Sequence, residues 1–273
     1  MIETSGGLDV DRGKMPAMTS PSQRKSSIGN LAEFVASTIG PVGDVDRCNG
    51  AVLVASPVPV ANGFVNAAFV VDPDTDRHSF TEEALAYFGD RETPFIVWVP
   101  EEDQSLRNEV IRFGGIVDHD LLPDMWIDVP ISHESDLIVR VVEDADDFDR
   151  CARLCEQGYG IDGMRWLMQH HRMIDAHGVR WVVAFDGETP VGTGCGFLGR
   201  EVGGIYYVAT PPEFARRGVA SAVTTSLVND LLVEGAESVM LQASMQGFPV
   251  YERLGFTTRG RLERYRFDVP SGD

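Results

Sequence analysis

Positive charge is scarce in this chain: 23 lysines and arginines stand against 42 aspartates and glutamates, a formal net charge of −19. That balance repels a phosphate backbone and offers no basic stripe, so nucleic acid is not an expected partner. It suits a cationic amine substrate, and equally a plain acidic surface. Cysteine is scarcer still. Cys48, Cys151, Cys155 and Cys195 show no metal-ligand spacing, and Cys151 and Cys155 lie four apart on an expected helix. They read as buried thiols of a reducing cytoplasm, with no metal. No apolar run approaches the ~20 residues of a membrane span. The first residues lack the charged, apolar and small-residue zones of a signal peptide. A cytoplasmic protein without membrane contact is the expectation.

The chain has 273 residues and is 43% apolar, enough for a substantial core. It exceeds one domain of about 150 residues. Its most informative stretch is Val208-Ala-Thr-Pro-Pro-Glu-Phe-Ala-Arg-Arg-Gly-Val-Ala-Ser221. Residues 205–209 read as a buried strand, which Pro211-Pro212 stops because neither can donate to a ladder. Val219, Ala222, Val223, Leu227 and Leu231 then recur at helical spacing. Between strand and helix lie Arg216, Arg217, Gly218 and Ala220. A helix start carries unpaired N–H groups and the positive end of the helix dipole, and Gly218 lets a ligand come close. The stretch reads as a cradle for a pyrophosphate.

Here the sequence resembles the GNAT superfamily of acetyl-CoA-dependent N-acetyltransferases. The family's phosphate loop is Arg/Gln-x-x-Gly-x-Gly/Ala, matched by Ala215-Arg-Arg-Gly218-Val-Ala220 with alanine replacing the usual first residue. Downstream, an expected strand over 238–244 precedes Gly247-Phe-Pro-Val-Tyr251-Glu-Arg-Leu-Gly255-Phe256 and a last strand over 264–269. That order resembles the family's ending. Ser244 stands seven residues before Tyr251, where many members carry asparagine. The resemblance covers about residues 138–269. It implies an α+β fold.

Residues 1–28 have no periodicity and read as a disordered tail. Residues 29–130 form a separate block, with strands expected over 51–55, 64–71, 95–99 and 125–129. Helices are expected over 81–88, capped by Thr81 or Ser79, and over 105–113. Residues 131–137 read as a linker, and 138–273 as the acetyl-CoA-binding domain. This second block is expected to hold a strand over 137–142, helices over 145–157 and 164–176, and a hairpin about Asp186-Gly187. The halves echo each other: Arg112-Phe-Gly114 and a strand ending Trp126-Ile-Asp128-Val129 parallel Arg253-Leu-Gly255 and Arg266-Phe-Asp268-Val269. This suggests two GNAT-like domains in tandem, each a central mixed, mostly antiparallel sheet flanked by helices. The first has no phosphate loop; Asp72-Pro-Asp-Thr-Asp-Arg77 stands near its place and would repel a pyrophosphate. This half is expected to be structural, or to wall the other half's substrate pocket.

The resemblance implies direct acetyl transfer to a primary amine of a small molecule or an amino terminus. A strand bulge would expose backbone groups: Val208 for the developing negative charge and pantetheine, Thr210 for the pantetheine arm. Pyrophosphate would rest on N–H groups of Arg216, Arg217, Gly218, Val219, Ala220 and Ser221. Ser244 would contact the cofactor, and Tyr251 would be the general acid. Tyr206, Tyr207 and Glu156 are candidate bases. His170, His171 and His177 form no compact ligand set and read as packed or exposed helix residues. A CoA-binding regulatory or scaffold protein without turnover, and an interaction module binding no CoA, are the competing readings. A monomer or a homodimer is compatible with the pattern.

Overall fold

The computed structural model describes residues 27–268. The expected tail, residues 1–28, lies outside them save for Ser27 and Ile28, as does Val269 at the chain's other end. Within the described residues eleven strands form one sheet in the order β1-β2-β3-β4-β11-β5-β10-β9-β8-β7-β6. The first half contributes α1 (Ser27–Ile39), β1 (Asp44–Cys48), β2 (Ala51–Ala55), β3 (Ala67–Val70), α2 (Arg77–Gly89), β4 (Phe95–Pro100), α3 (Gln104–Arg112) and β5 (Ile116–Ile127). The second contributes β6 (Ile138–Val141), α4 (Ala145–Tyr159), α5 (Met164–His170), β7 (Val179–Asp186), β8 (Thr189–Leu198), β9 (Val202–Ala209), α6 (Val219–Val233), β10 (Ser238–Gln242), α7 (Phe248–Arg253) and β11 (Thr257–Phe267). Among the described residues, only β3–β4 and β9–β10 pair in parallel.

The strand order is an internal two-fold. Outward from the central pair β11–β5 run β4, β3, β2 and β1 on one side, and β10, β9, β8 and β7 on the other, with β6 beyond. That centre is an exchange: β11, from the second half, pairs with β4, and β5, from the first, pairs with β10. Tyr265 and Phe267 of β11 are therefore buried in the first half's core, where Phe267 stacks on Phe95 at 4.9 Å. Met125 and Ile127 of β5 lie in the second half's core. The linker is anchored too, since Asn229 on α6 bonds both the N–H and the carbonyl of Ile131 (2.8 and 3.0 Å).

One face of the sheet carries α6 and α7 over the second half and α2 and α3 over the first. The other carries α1, α4 and α5 above a single apolar cluster. Helix α1 is buried on nearly every side, with Leu31, Phe34, Val35 and Ile39 as its bulk and Gly29, Ala32 and Ala36 allowing close approach. It spans both halves: Phe34 stacks on Tyr206 of β9 at 3.9 Å, and Asn30 binds the Val202 carbonyl at 2.7 Å. Below its start, buried Asp124 accepts from the Ser27 hydroxyl (2.7 Å) and the Trp126 indole (2.8 Å).

Several boundaries differ from expectation. Asp76, not Thr81 or Ser79, caps α2, accepting from the Ser79 N–H at 2.7 Å. β3 begins at Ala67, because residues 64–66 belong to a loop that Asn66 ties to the carbonyls of Val58 and Val60 (2.8 Å each). The second helix of the second half stops at His170, where Arg172 takes a left-handed φ of 50° before a short 3-10 turn. β11 starts seven residues earlier than expected because residues 257–261 pair with β5, ahead of the pairing with β4 that begins at Leu262.

Candidate functional site

The site grows from the end of β9. Thr193 faces Ala209 and Cys195 faces Tyr206, so Tyr207 and Val208 oppose Gly194 alone. This is a β-bulge, and Tyr207 takes a left-handed φ of 53° to make it. On the other side β9 pairs with β10 only over residues 202–204 against 238–240. β9 then continues to Ala209, whereas the chain after β10 turns away: the Ala243 N–H bonds Pro123 on β5 (2.9 Å). The two strands thus splay into a crevice flanked by the bulge.

Beyond the crevice the backbone turns twice through left-handed conformations, at Arg216 (φ 64°) and Gly218 (φ 78°). Gly218 opens α6 with no side-chain cap, and a Cβ there would meet nothing within 4 Å. The Ala222 N–H bonds the Gly218 carbonyl (2.9 Å), so the preceding N–H groups lack the usual helical acceptors. Val219 is buried against Gly192, where a Cβ would lie 2.3 Å from the valine's Cγ1. Arg216 and Arg217 are exposed; Arg217 lies 5.6 Å over the Phe214 ring and 4.0 Å from Asp186. Ala220 and Ser221 are half-buried on the first turn. Between bulge and helix, Thr210 Oγ1 is buried without a hydrogen-bond partner among the described residues. An unsatisfied buried hydroxyl is costly, and a polar ligand amide would satisfy it.

From the far side comes α7. Tyr251 is 8% exposed, lies 5.9 Å from the Phe256 ring, and has its pKa pushed up to about 12 by burial. Its phenol is therefore protonated at neutral pH. Ser244 Oγ accepts from the Gly247 N–H at 3.0 Å, which makes it a brace for the turn into α7.

Sequence reasoning missed Tyr159. It ends α4, and its hydroxyl donates to the Val208 carbonyl at 3.1 Å. Close approach is possible because Gly158 lies against β9: a Cβ there would be 3.0 Å from the Thr210 nitrogen. No local pattern marks Tyr159, since its partner is 49 residues away. The candidate bases have other engagements. Tyr206 donates to Asn30 Oδ1 at 2.6 Å, and Glu156 accepts from the Arg165 N–H at 3.0 Å. Tyr207 sits among Trp181, Phe64 and Phe34, with ring centroids 5.4, 5.4 and 6.1 Å away. Two of those rings come from the first half.

His171 is wholly buried. Its Nδ1 lies 2.7 Å from the Leu167 carbonyl and must donate, so Nε2 accepts from the Ser56 hydroxyl at 2.6 Å. It latches the first half's β2–β3 loop to α5. His170 stacks on Trp166 at 4.8 Å, and His177 is exposed. Cys151, Cys155 and Cys195 are free and buried, as core thiols should be. Among the described residues no three His, Cys, Asp or Glu side chains converge, and no helix is long and apolar enough to cross a membrane.

Residues 145–256 match the family model described as acetyltransferase (GNAT) family. A GCN5-related N-acetyltransferase from Kribbella flavida has a similar structure: TM-score 0.69 at 16% identity, covering 94% of this chain and 98% of that one. A tandem GNAT protein from the clavulanic acid biosynthesis pathway aligns with TM-score 0.60 at 13% identity, over 89% of each chain. A GCN5-related N-acetyltransferase from Sphaerobacter thermophilus gives 0.55 at 18%, over 84% of this chain and 83% of that one. At such identities these likenesses carry the fold, here a tandem of two GNAT-like domains. No curated protein matches the sequence.

Proposed function

We propose that this chain, whose residues 145–256 form a GNAT-family acetyltransferase domain, transfers an acetyl group from acetyl-CoA to a primary amine. The acceptor would be a small molecule or an amino terminus. One observation carries the reading: a splayed strand pair, a bulge and an uncapped helix start lie in series, with the unpartnered Thr210 hydroxyl between them. N–H groups from Arg216 through Ser221 would hold the pyrophosphate, with Arg216 and Arg217 adding charge. Thr210 would bond the pantetheine arm. Acetyl-CoA supplies an activated acyl group as its thioester, which a neutral amine attacks without a covalent enzyme intermediate. The Val208 N–H would stabilise negative charge developing on the acyl oxygen. Tyr251, kept protonated by burial, would give its proton to the departing sulfur as the C–S bond breaks, and the proton released by the attacking nitrogen would restore the phenol through solvent. The first half would wall the acceptor side through Phe34 and Phe64, whose rings pack on Tyr207.

Two departures favour a second reading, CoA binding without turnover: Ala215 replaces the loop's usual first residue, and Ser244 already braces α7. Product analysis separates the two. Incubation with acetyl-CoA and a panel of primary amines, read by mass spectrometry, should give an N-acetylated product that Tyr251→Phe diminishes. Binding without product across the panel would favour the second reading.

A further inference from the structure

The bulge in β9 is held from outside its own sheet. In a regular strand successive carbonyls point in opposite directions across the ladder. Here the carbonyls of Tyr207 and Val208, which follow one another, both accept from α4. The Cys155 thiol lies 3.7 Å from the Tyr207 carbonyl, and the Tyr159 hydroxyl lies 3.1 Å from that of Val208. Cys155 and Tyr159 are four residues apart, one turn along the same helix, so a single face of α4 meets both carbonyls.

A trans peptide sets its N–H opposite its C=O. Fixing the Tyr207 carbonyl toward α4 therefore aims the Val208 N–H away from α4. Fixing the Val208 carbonyl does the same for the Ala209 N–H. We propose that Cys155 and Tyr159 are positioning residues that clamp the bulge so that the Val208 N–H faces the acyl oxygen. The inference rests on the acetyl-CoA reading above, but concerns two side chains that reading does not use.

The clamp is built to donate. Tyr159 is 44% exposed, but its hydroxyl is engaged by the Val208 carbonyl, and desolvation raises its pKa well above the usual value. The phenol stays protonated over the working pH range. Cys155 is fully enclosed, and burial likewise keeps its thiol protonated. Each is committed as a donor to a backbone carbonyl, which separates them from an acid or a base.

The test compares the native protein with Tyr159→Phe, which removes one oxygen and keeps the ring, and with Cys155→Ala. Acetyl-CoA labelled with carbon-13 at the acetyl carbonyl is bound to each, and its stretching band is read by infrared difference spectroscopy. Affinity is measured in parallel by calorimetry. In the native protein the band should lie below that of free acetyl-CoA, because an N–H donor polarises the carbonyl. The expected result for Tyr159→Phe is loss of half or more of that downshift with little change in affinity, and Cys155→Ala should act in the same direction. An unchanged band in both variants would overturn the proposal. Tighter binding by Tyr159→Phe with an unchanged band would also overturn it, making the hydroxyl a competitor for the Val208 carbonyl. If the native protein fails to bind acetyl-CoA, the functional reading itself fails, an outcome distinct from either.

Discussion

The two halves build the same corner twice and finish it in opposite ways. In the first, β3 leads through residues 71–76 into α2; in the second, β9 leads through residues 210–218 into α6. β3 pairs with β2 in unbroken register from Ala51↔Val70 to Val54↔Ala67, with no bulge. β9 breaks register at Tyr207 and Val208. The helix starts differ as sharply. Asp76 caps α2 with its own carboxylate, and Asp72 accepts from the Asp74 N–H at 3.0 Å, so the first corner is filled by its own anions. Gly218 leaves the second open. A helix N-terminus attracts negative charge, and the chain either supplies it covalently or leaves room for a ligand to supply it. One topology thus yields a self-closed corner and a cradle.

The largest effect should come from separating the halves. Residues 138–273 made alone would lack β5, leaving β10 and β11 without their shared neighbour and the core without Met125 and Ile127. The expected product is insoluble or unfolded by circular dichroism, and co-expression with residues 1–137 should restore a soluble complex. A well-folded lone second half would show that the exchange is dispensable.

Next, closing the open corner should copy the first half's state. Gly218→Glu places a carboxylate in the cradle and should weaken acetyl-CoA binding by roughly a hundredfold or more, about 2.7 kcal/mol. The converse change, Asp76→Ala, should lower the melting temperature slightly and leave acetyl-CoA affinity unchanged. Loss of affinity with Asp76→Ala would give the first corner a role in binding. Thr210→Val is smaller in effect. It removes the unpartnered hydroxyl and should weaken binding about fivefold, near 1 kcal/mol, without destabilising the free protein. A clear drop in thermal stability would mean that hydroxyl serves the fold.

The smallest effect concerns the latch between the halves. Burial lowers the His171 pKa, so the fold disfavours its charged form. Its contribution to stability is complete above the unfolded-state value of about 6.5 and declines as pH falls through that value toward the folded one. Thermal melts of the native protein should lose stability through this range more steeply than those of His171→Gln. Parallel curves would remove His171 from the acid response.

Local features of this fold were legible in the sequence. The Asp186-Gly187 hairpin, the α6 periodicity and the Tyr251 helix follow from spacing and turn chemistry over a few residues. Helix α1 escaped because what fixes it is packing against distant strands, such as Phe34 on Tyr206 and Asn30 on the Val202 carbonyl, which no local spacing shows. The exchange of β5 and β11 escaped because strand neighbours are chosen by long-range pairing. Within the candidate site, Gly218 announced itself by residue type. Tyr159 did not, since its meaning depends on a carbonyl that only the bulge turns toward it.

The most direct measurement is calorimetric titration of acetyl-CoA into the full chain, its Gly218→Glu variant and its Asp76→Ala variant. One site per chain, lost with Gly218→Glu and kept with Asp76→Ala, is the result this account requires. Two sites per chain, or binding that survives Gly218→Glu, would contradict it.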